Sequence, residues 1–147
     1  MNTAIGVDAI PHRPPFLFVD DIVEVTGDRI VTRMQIDPDM ECFRGHYPGN
    51  PIMPGVLLCE CCFQAGALLI AHQLDPGDWE GVPVLTRIKD ARFKRIVRPG
   101  ETIKVEVTLD SELGGAYFMT GRASVDGEPA VRVEFACMLV DNKENDQ

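Results

Sequence analysis

Residues 42–64 of this chain read Cys-Phe-Arg-Gly-His-Tyr-Pro-Gly-Asn-Pro-Ile-Met-Pro-Gly-Val-Leu-Leu-Cys-Glu-Cys-Cys-Phe-Gln. In the first half, proline recurs at every third position, as Pro48, Pro51 and Pro54. Proline fixes φ and disfavours helix, so residues 45–54 should form a stiff, extended segment, which we call the histidine arm because it contains His46. Gly55 ends this arm, and residues 56–74 are apolar enough, and free enough of helix breakers, to form one long helix.

The predicted helix contains only one formally charged residue, Glu60. A helix that is apolar on nearly every side is buried, either in a protein core or in lipid. Glu60, Gln64, His72 and Gln73 are too many polar groups for a transmembrane segment, and the flanking sequence is typical of strands in soluble proteins. We therefore predict a core helix and no membrane span.

Glu60 is the first candidate functional residue. A lone buried carboxylate is costly, so it must be paired, hydrogen-bonded or protonated. Gln64 lies one turn further along the same helix face and could hold it. Because perturbed buried acids cluster at functional sites, we predict a catalytic role for Glu60. The alternative is a carboxyl group that only orders a hydrogen-bond network in the core.

Length and composition limit the class of protein. The 147 residues predict a single domain spanning residues 1–147, with residues 1–9 and 141–147 frayed. The five cysteines and the lack of an apolar secretory leader predict free thiols in the cytoplasm. A metal site at Cys59, Cys61 and Cys62 is disfavoured, since residues one and two apart on a helix do not share a face. The net charge of −9 argues against nucleic acid as a partner.

A basic cluster stands out against this acidic background. Five cations fall within ten residues that contain one acid, Asp90; they are Lys89, Arg92, Lys94, Arg95 and Arg98. Such a cluster predicts an anionic partner that docks there. The alternative is a strand whose charges simply face water.

Alternating apolar residues and turn signals predict six strands. These are residues 22–25, 30–36, 82–93, 103–109, 117–125 and 130–140. Before them, residues 10–19 should form an ordered arm on the domain, because Phe16 and Phe18 need cover. One apolar helix and about six antiparallel strands predict an α+β protein of the hotdog fold, with a curved sheet wrapped around the helix. Its open sheet edges predict dimerisation through strands.

His46 completes a set of reactive groups. Imidazole can accept or give a proton near neutral pH. Gly55, at the helix start, leaves room for a ligand to approach its backbone N–H, which could stabilise an oxyanion. A base, an acid and an oxyanion donor suit proton abstraction beside a carbonyl, followed by loss of a β-hydroxyl group.

The segment from Gly45 to Leu57, with Glu60 and Gln64 after it, resembles the FabZ-type β-hydroxyacyl-[acyl-carrier-protein] dehydratase family. The resemblance extends from about residue 10 to residue 140. It includes the flanking segments Pro11-His12-Arg13, Ala91-Arg92-Phe93-Lys94-Arg95 and Val125-Asp126-Gly127.

This resemblance implies a lyase of fatty acid or related acyl and polyketide biosynthesis that converts (3R)-hydroxyacyl thioesters to trans-2-enoyl thioesters. The site would lie at the interface of a homodimer, or of a hexamer of three dimers, with His46 and Glu60 from opposite subunits as base and acid. Gly55, Val56 and Gln64 would bind the thioester, and no cofactor or metal would be needed. Acyl carrier protein would dock at the cations Arg92, Lys94, Arg95 and Arg98.

Other functions remain open at this stage. The same fold occurs in acyl-CoA thioesterases and hydratases, and a non-catalytic acyl-binding protein would keep the cavity without needing His46. The chain also departs from the family pattern at Cys61-Cys62-Phe63, where smaller or more flexible residues are usual, and at Arg87. These departures bear on the shape of the acyl tunnel and on the preferred chain length.

Overall fold

The structure is a computed structural model that describes residues 5–74 and 81–141. Within these residues, one α-helix, α1 (Gly55–Gln73), lies against one antiparallel sheet. The strands are β1 (Asp21–Val25), β2 (Arg29–Gln35), β3 (Gly81–Phe93), β4 (Thr102–Leu113), β5 (Ala116–Val125) and β6 (Glu128–Asp141). Their spatial order is β1-β2-β4-β5-β6-β3, so β1 and β3 form the two edges. The predicted α+β arrangement is confirmed.

Helix α1 forms the centre of the core, as its all-round apolar sequence predicts. Every residue from Leu58 to Ala71 is buried except Glu60. The helix is long and apolar enough to cross a membrane by length and composition alone, but 72% of its apolar window is buried inside the protein. It is therefore the core helix of this domain.

Two glycines bring the helix and the sheet close together. A Cβ atom on Gly121 of β5 would lie 2.7 Å from Cβ of Cys62, and one on Gly66 would lie 2.9 Å from the ring of Phe135 on β6. Real Cβ atoms do not approach other atoms so closely, so both positions require glycine. This tight packing fixes α1 in register with β5 and β6.

The predicted strands are confirmed, with ends that differ by a few residues. The predicted turn at Asp126 and Gly127 is confirmed, with φ of 50° and 81°, as a two-residue type I′ hairpin requires. Strand β4 runs on to Leu113, since Gly114 and Gly115 supply the positive φ of the next turn. The helix stop predicted at residues 75–78 and the tail after Asp141 lie outside the described residues.

The N-terminal segments differ from the sequence prediction in two respects. Fraying is predicted for residues 1–9, of which 1–4 lie outside the described residues; in the rest, Val7–Ala9 form a 3-10 helix, and the apolar side chains of Ile5, Val7 and Ala9 pack against the core. In the following arm, Phe18 is buried as expected, whereas Phe16 stays 49% exposed. Of these two aromatic side chains, only that of Phe18 faces the core.

Strand β3 is an edge with unusual apolar exposure. It pairs with β6 on one side, and its free side carries no strand among the described residues. Val84, Ile88 and Phe93 on this strand are 39%, 54% and 54% exposed. An exposed apolar edge strand is a ready template for pairing with another chain.

Candidate active site

The side chain of Gln64 connects the parts of the site through hydrogen bonds. Its side chain is fully buried, and its Oε1 accepts a hydrogen bond from the backbone N–H of Phe18 at 2.7 Å. Its Nε2 donates to the carbonyl of Phe16 at 2.9 Å and to Oε2 of Glu60 at 3.0 Å. Both amide hydrogens are thus used inside the protein, so Gln64 attaches residues 16–18 to the helix and orients the Glu60 carboxyl group.

Glu60 lies in a small cavity between α1 and the β3 edge, which we call the Glu60 cavity. Its volume is about 120 Å³, and Glu60 is 20% exposed within it. The other lining residues are His12, Phe63, Ala67, Pro83, Leu85 and Cys137. Apart from the two ionisable groups His12 and Glu60 and the thiol of Cys137, this lining is apolar. The exposed surface of the cavity is nonetheless mostly polar, so the cavity suits the polar reacting part of a substrate beside the Glu60 carboxyl group.

His12 is a site residue that the sequence did not single out. Its Nε2 lies 3.7 Å from Oε2 of Glu60, and its Nδ1 is buried without a hydrogen-bond partner among the described residues. The Pro11-His12-Arg13 motif was the available signal, but nothing in it indicates proximity to Glu60. The contact arises because Gln64 draws the N-terminal arm onto the helix.

Cys137 does not add a nucleophile to the cavity. Burial, with a smaller effect from the Glu60 charge, raises the pKa of the Cys137 thiol to about 12. The thiol is therefore protonated at neutral pH and poorly reactive. Burial also raises the pKa of Cys61 and Cys62, as expected of structural free thiols. Among the described residues, no cluster of His, Cys, Asp and Glu side chains has the form of a metal site.

His46 lies in the histidine arm with one ring nitrogen fixed. Its Nδ1 is 3.0 Å from the carbonyl oxygen of Ile52, and its ring lies edge-on to Tyr47 at 4.6 Å. A carbonyl oxygen only accepts, so Nδ1 carries the hydrogen and Nε2 is the basic nitrogen of the neutral ring. The arm thus presents His46 in the tautomer that a general base needs.

The start of α1 supplies backbone donors. The carbonyl of Pro54 accepts the N–H groups of Leu57 and Leu58, so those of Gly55 and Val56 have no partner within the helix. A Cβ atom on Gly55 would lie 2.8 Å from the ring of Phe93. In the protomer, the Phe93 ring at the end of β3 therefore fills the space that glycine leaves.

One protomer does not place His46 in the Glu60 cavity. The residues of the described chain that line this cavity come from the N-terminal arm, α1, β3 and β6, and none comes from the histidine arm. Gly55, Val56 and Gln64 all belong to α1, on either side of Glu60. The described lining of the cavity therefore contains Glu60 without His46.

Three of the four predicted docking cations already have partners. Arg95 donates to both oxygens of Glu101 at 2.7 and 3.2 Å, and to Glu128 at 2.9 Å. These carboxylates, chiefly Glu101, raise the pKa of Arg95, and Arg95 in turn lowers the pKa of Glu101. Arg92 contacts Asp90 at 3.0 Å, and Arg98 donates to Asn50 at 2.8 Å.

The fourth cation, Lys94, lines a groove of about 220 Å³ together with three further cations. These are Lys104 on β4, Arg122 on β5 and Arg132 on β6, and we call their site the basic groove. Arg122 and Arg132 lie directly opposite one another in the β5–β6 pairing. Like charges in that position repel, so an anion in the groove would be stabilising. Glu106 is the one acid in the lining, and it is paired with Arg29.

Comparison with known proteins identifies relatives of the whole chain. The family model described as a FabA-like domain matches residues 10–134. The chain is 40% identical to 3-hydroxyacyl-[acyl-carrier-protein] dehydratase FabZ of Anaeromyxobacter dehalogenans strain 2CP-1 over 142 residues, which cover 95% of this chain and 91% of that protein. It is 42% identical to the same-named protein of Thermomicrobium roseum over 136 residues, covering 91% of this chain and 89% of that one.

Solved structures support the fold. The dehydratase heterocomplex ApeI:P from Xenorhabdus doucetiae contains a chain that superposes with a TM-score of 0.81 at 16% identity, covering 96% of this chain and 95% of that one. A hypothetical thioesterase from Streptococcus pneumoniae, solved with coenzyme A, superposes with a TM-score of 0.65 at 11% identity, covering 82% and 88%. At sequence identities this low, the superpositions show only that the fold is shared. They confirm the predicted hotdog architecture.

Proposed function

The chain belongs to the FabZ-type dehydratases of the FabA-like family, and we propose that it dehydrates (3R)-hydroxyacyl thioesters on acyl carrier protein to trans-2-enoyl thioesters. The proposal rests on one observation: hydrogen bonds hold two side chains that can transfer protons, Glu60 and His46, in defined positions. Gln64 holds the Glu60 carboxyl group in a small cavity between α1 and β3, and the Ile52 carbonyl fixes the tautomer of His46. We propose fatty acid or related acyl biosynthesis as its pathway and the cytoplasm as its location.

A second copy of the chain, paired along β3, would complete the site. Pro83 and Leu85 of β3 line the Glu60 cavity, and Phe93 of the same strand contacts Gly55 at the helix start. The reactive parts of one protomer therefore lie directly behind its apolar free edge. Dimerisation there would bury Val84, Ile88 and Phe93 and bring the histidine arm of the partner subunit to the cavity. A hexamer of three such dimers stays a prediction.

The proposed chemistry uses each of these groups once. The Nε2 atom of His46 takes the proton from C2 of the hydroxyacyl thioester, and the electron pair forms the C2–C3 double bond as the C3–O bond breaks. The N–H groups at the start of α1, from Gly55 and Val56, stabilise the negative charge that develops on the thioester oxygen. Glu60 gives its proton to the departing hydroxyl group, which leaves as water. The site returns to its starting state when His46 releases its proton to solvent and Glu60 takes one up.

A direct assay tests the proposal. The purified protein is mixed with (3R)-hydroxyacyl carrier protein, and the ultraviolet absorbance of the enoyl thioester is followed in both directions. We expect reversible enoyl formation with no added cofactor. Release of free thiol without enoyl product would instead identify a thioesterase, and saturable binding without either product would identify an acyl-binding protein.

Carrier protein is proposed to dock at the basic groove, which meets the end of β3 at Lys94. Replacing Lys94 and Lys104 by glutamate should raise KM for acyl carrier protein substrates about tenfold, because carrier proteins are anionic and steering depends on opposite charge. The same double variant should leave KM for a short soluble thioester, such as an N-acetylcysteamine ester, nearly unchanged. The measurement is KM for both substrates at two ionic strengths.

The matched control for this prediction is Arg33→Glu together with Arg44→Glu. Both arginines are exposed, lie outside the groove, and give the same change in net charge. One contrary result is a control variant that raises KM as much as the groove variant does, and another is a groove variant that raises KM equally for both substrates. Either result would show that carrier protein does not dock at the basic groove.

A further inference from the structure

The histidine arm is hydrogen-bonded to Val97 and Arg98, two residues that follow β3 in the chain. The backbone N–H of Met53 donates to the carbonyl of Val97 at 2.7 Å. Earlier in the arm, Nη1 of Arg98 donates to Oδ1 of Asn50 at 2.8 Å. One backbone contact and one side-chain contact thus connect the arm to the same short segment.

The arm contains a strained backbone conformation directly beside His46. Tyr47 has a φ of 53°, in the left-handed region that bulky side chains rarely adopt. The turn that contains it is closed by the backbone N–H of Asn50, which donates to the carbonyl of Tyr47 at 2.8 Å. A strained conformation persists only where its surroundings hold it. The position of His46 therefore depends on contacts that keep this turn closed.

The same turn determines the hydrogen bond of the His46 ring. Nδ1 of His46 reaches the carbonyl of Ile52 because residues 47–50 fold the chain back. If the turn opened, Nδ1 would lose this acceptor, and the proton of the neutral ring could lie on either nitrogen. Nε2 would then be the basic nitrogen in only part of the molecules.

Arg98 extends from a backbone segment that Glu101 holds in place. Oε1 of Glu101 accepts the backbone N–H of Arg98 at 2.7 Å, and the backbone N–H of Glu101 donates to the carbonyl of Arg98 at 3.2 Å. The side chain of Arg95 donates to both carboxylate oxygens of Glu101. Val97, one residue earlier, is fully buried. The guanidinium group of Arg98 can therefore hold Asn50 from a fixed position.

We propose that Arg98 is a positioning residue for the reaction, which acts through Asn50 to keep the turn at Tyr47 closed and the proton of His46 on Nδ1. This inference rests on the proposed dehydratase function. It gives Arg98 a role different from the carrier docking that the sequence predicts for it.

The kinetic test separates positioning from docking. Arg98→Ala and Asn50→Ala should each lower kcat about tenfold, a smaller loss than the roughly 10²-fold that a misplacement of about 1 Å can cause. The loss should be equal for a carrier-bound and a short soluble hydroxyacyl thioester, with KM nearly unchanged for both. The double variant should be no slower than either single variant, since each removes the same contact.

The conservative variant is Asn50→Asp, which keeps an oxygen that accepts from Arg98 and should retain most of kcat. Both Arg98 and Asn50 are exposed, so all of these variants should fold.

NMR of the ring nitrogens measures the His46 tautomer directly and needs no substrate. The chain has only three histidines, so isotope-labelled histidine gives few signals, and His46→Ala identifies those of His46. Above the unperturbed histidine pKa of about 6.5, the wild-type ring should carry its proton on Nδ1. In Arg98→Ala and Asn50→Ala, the signals should shift to those of a mixture of both tautomers.

Arg33→Ala is the matched control. Arg33 is exposed on β2 and donates to Asp21 at 3.2 Å, so its loss removes one exposed arginine contact away from the arm. Both kcat and the His46 tautomer should stay at their wild-type values.

A rise in KM for the carrier-bound substrate alone, with kcat unchanged, would assign Arg98 to docking and overturn the positioning role. Unchanged kcat in both variants, or a lower kcat with the wild-type tautomer, would overturn it as well. A wild-type protein that forms no enoyl product would overturn the dehydratase function, whereas the tautomer measurement would still decide whether Arg98 positions His46. The two failures are therefore distinguishable.

Discussion

Replacing His46 by alanine is expected to lower kcat for dehydration by a factor of about 10²–10⁴, the range that a general base contributes. The imidazole is held by one hydrogen bond, from Nδ1 to the carbonyl of Ile52, and its other nitrogen is the only proton acceptor that the histidine arm offers. The proton on C2 of the substrate would then have to leave to water. The measurement is the steady-state rate of enoyl formation with saturating substrate.

The chain contains a matched control for this experiment. It has three histidines, of which His12 contacts Glu60 and His72 lies at the end of α1, away from both parts of the site. His72→Ala should therefore keep nearly full kcat. Because His46 is half-buried in a loop, its loss should change the melting temperature little, and KM should stay close to the wild-type value. Full activity in His46→Ala would exclude it as the base.

Much of the fold and of the candidate site can be predicted from the sequence, because it depends on residues that are close together along the chain. The all-round apolar pattern determines that α1 is buried, and its one carboxylate needs Gln64 one turn away. The prolines keep helix out of residues 47–54, but the predicted extended segment is wrong around His46, because a turn from Tyr47 to Asn50 folds the chain back and brings His46 to the carbonyl of Ile52. The Asp126-Gly127 pair determines the turn between β5 and β6. Each of these predictions uses residues that are neighbours along the chain or on one helix face.

Other parts could not be predicted because they depend on how distant segments meet. The contact between His12 and Glu60 exists because residues 16–18 bond to Gln64, and no local pattern pairs them. The ring of Phe93 reaches Gly55 only because β3 ends beside the start of α1. Spacing alone could not show that Arg95 is bound by Glu101, whereas Lys94 lines an open groove.

Replacing Glu60 by glutamine should lower kcat by a similar factor of about 10²–10⁴, because the amide cannot deliver a proton to the leaving hydroxyl group. The substitution is close to isosteric, and a glutamine oxygen can still accept the hydrogen bond that Gln64 donates. The fold and the cavity should therefore survive, and the loss can be assigned to proton transfer. Glu112→Gln, at an exposed position on β4, is the control for the same chemical change.

The two inactive variants together can show where the site lies. If each site takes His46 from one subunit and Glu60 from the other, a dimer of one His46→Ala chain and one Glu60→Gln chain contains one intact site and one doubly impaired site. Random mixing makes half of all dimers mixed, so an equimolar preparation should recover about a quarter of wild-type activity. Co-expression with two affinity tags and sequential purification of the mixed dimer should raise this to about half.

The alternative geometry gives a different result in the same experiment. If His46 and Glu60 acted within one chain, every site in the mixed dimer would lack one of the two groups, and activity would stay at the level of the single variants. The Glu60 cavity opens behind the apolar edge of β3, and its described lining includes no residue of the histidine arm. Because the arm of the same chain does not reach this lining, we expect recovery, and the restored rate should disappear when Ile88→Asp on β3 disrupts the edge through which the subunits pair.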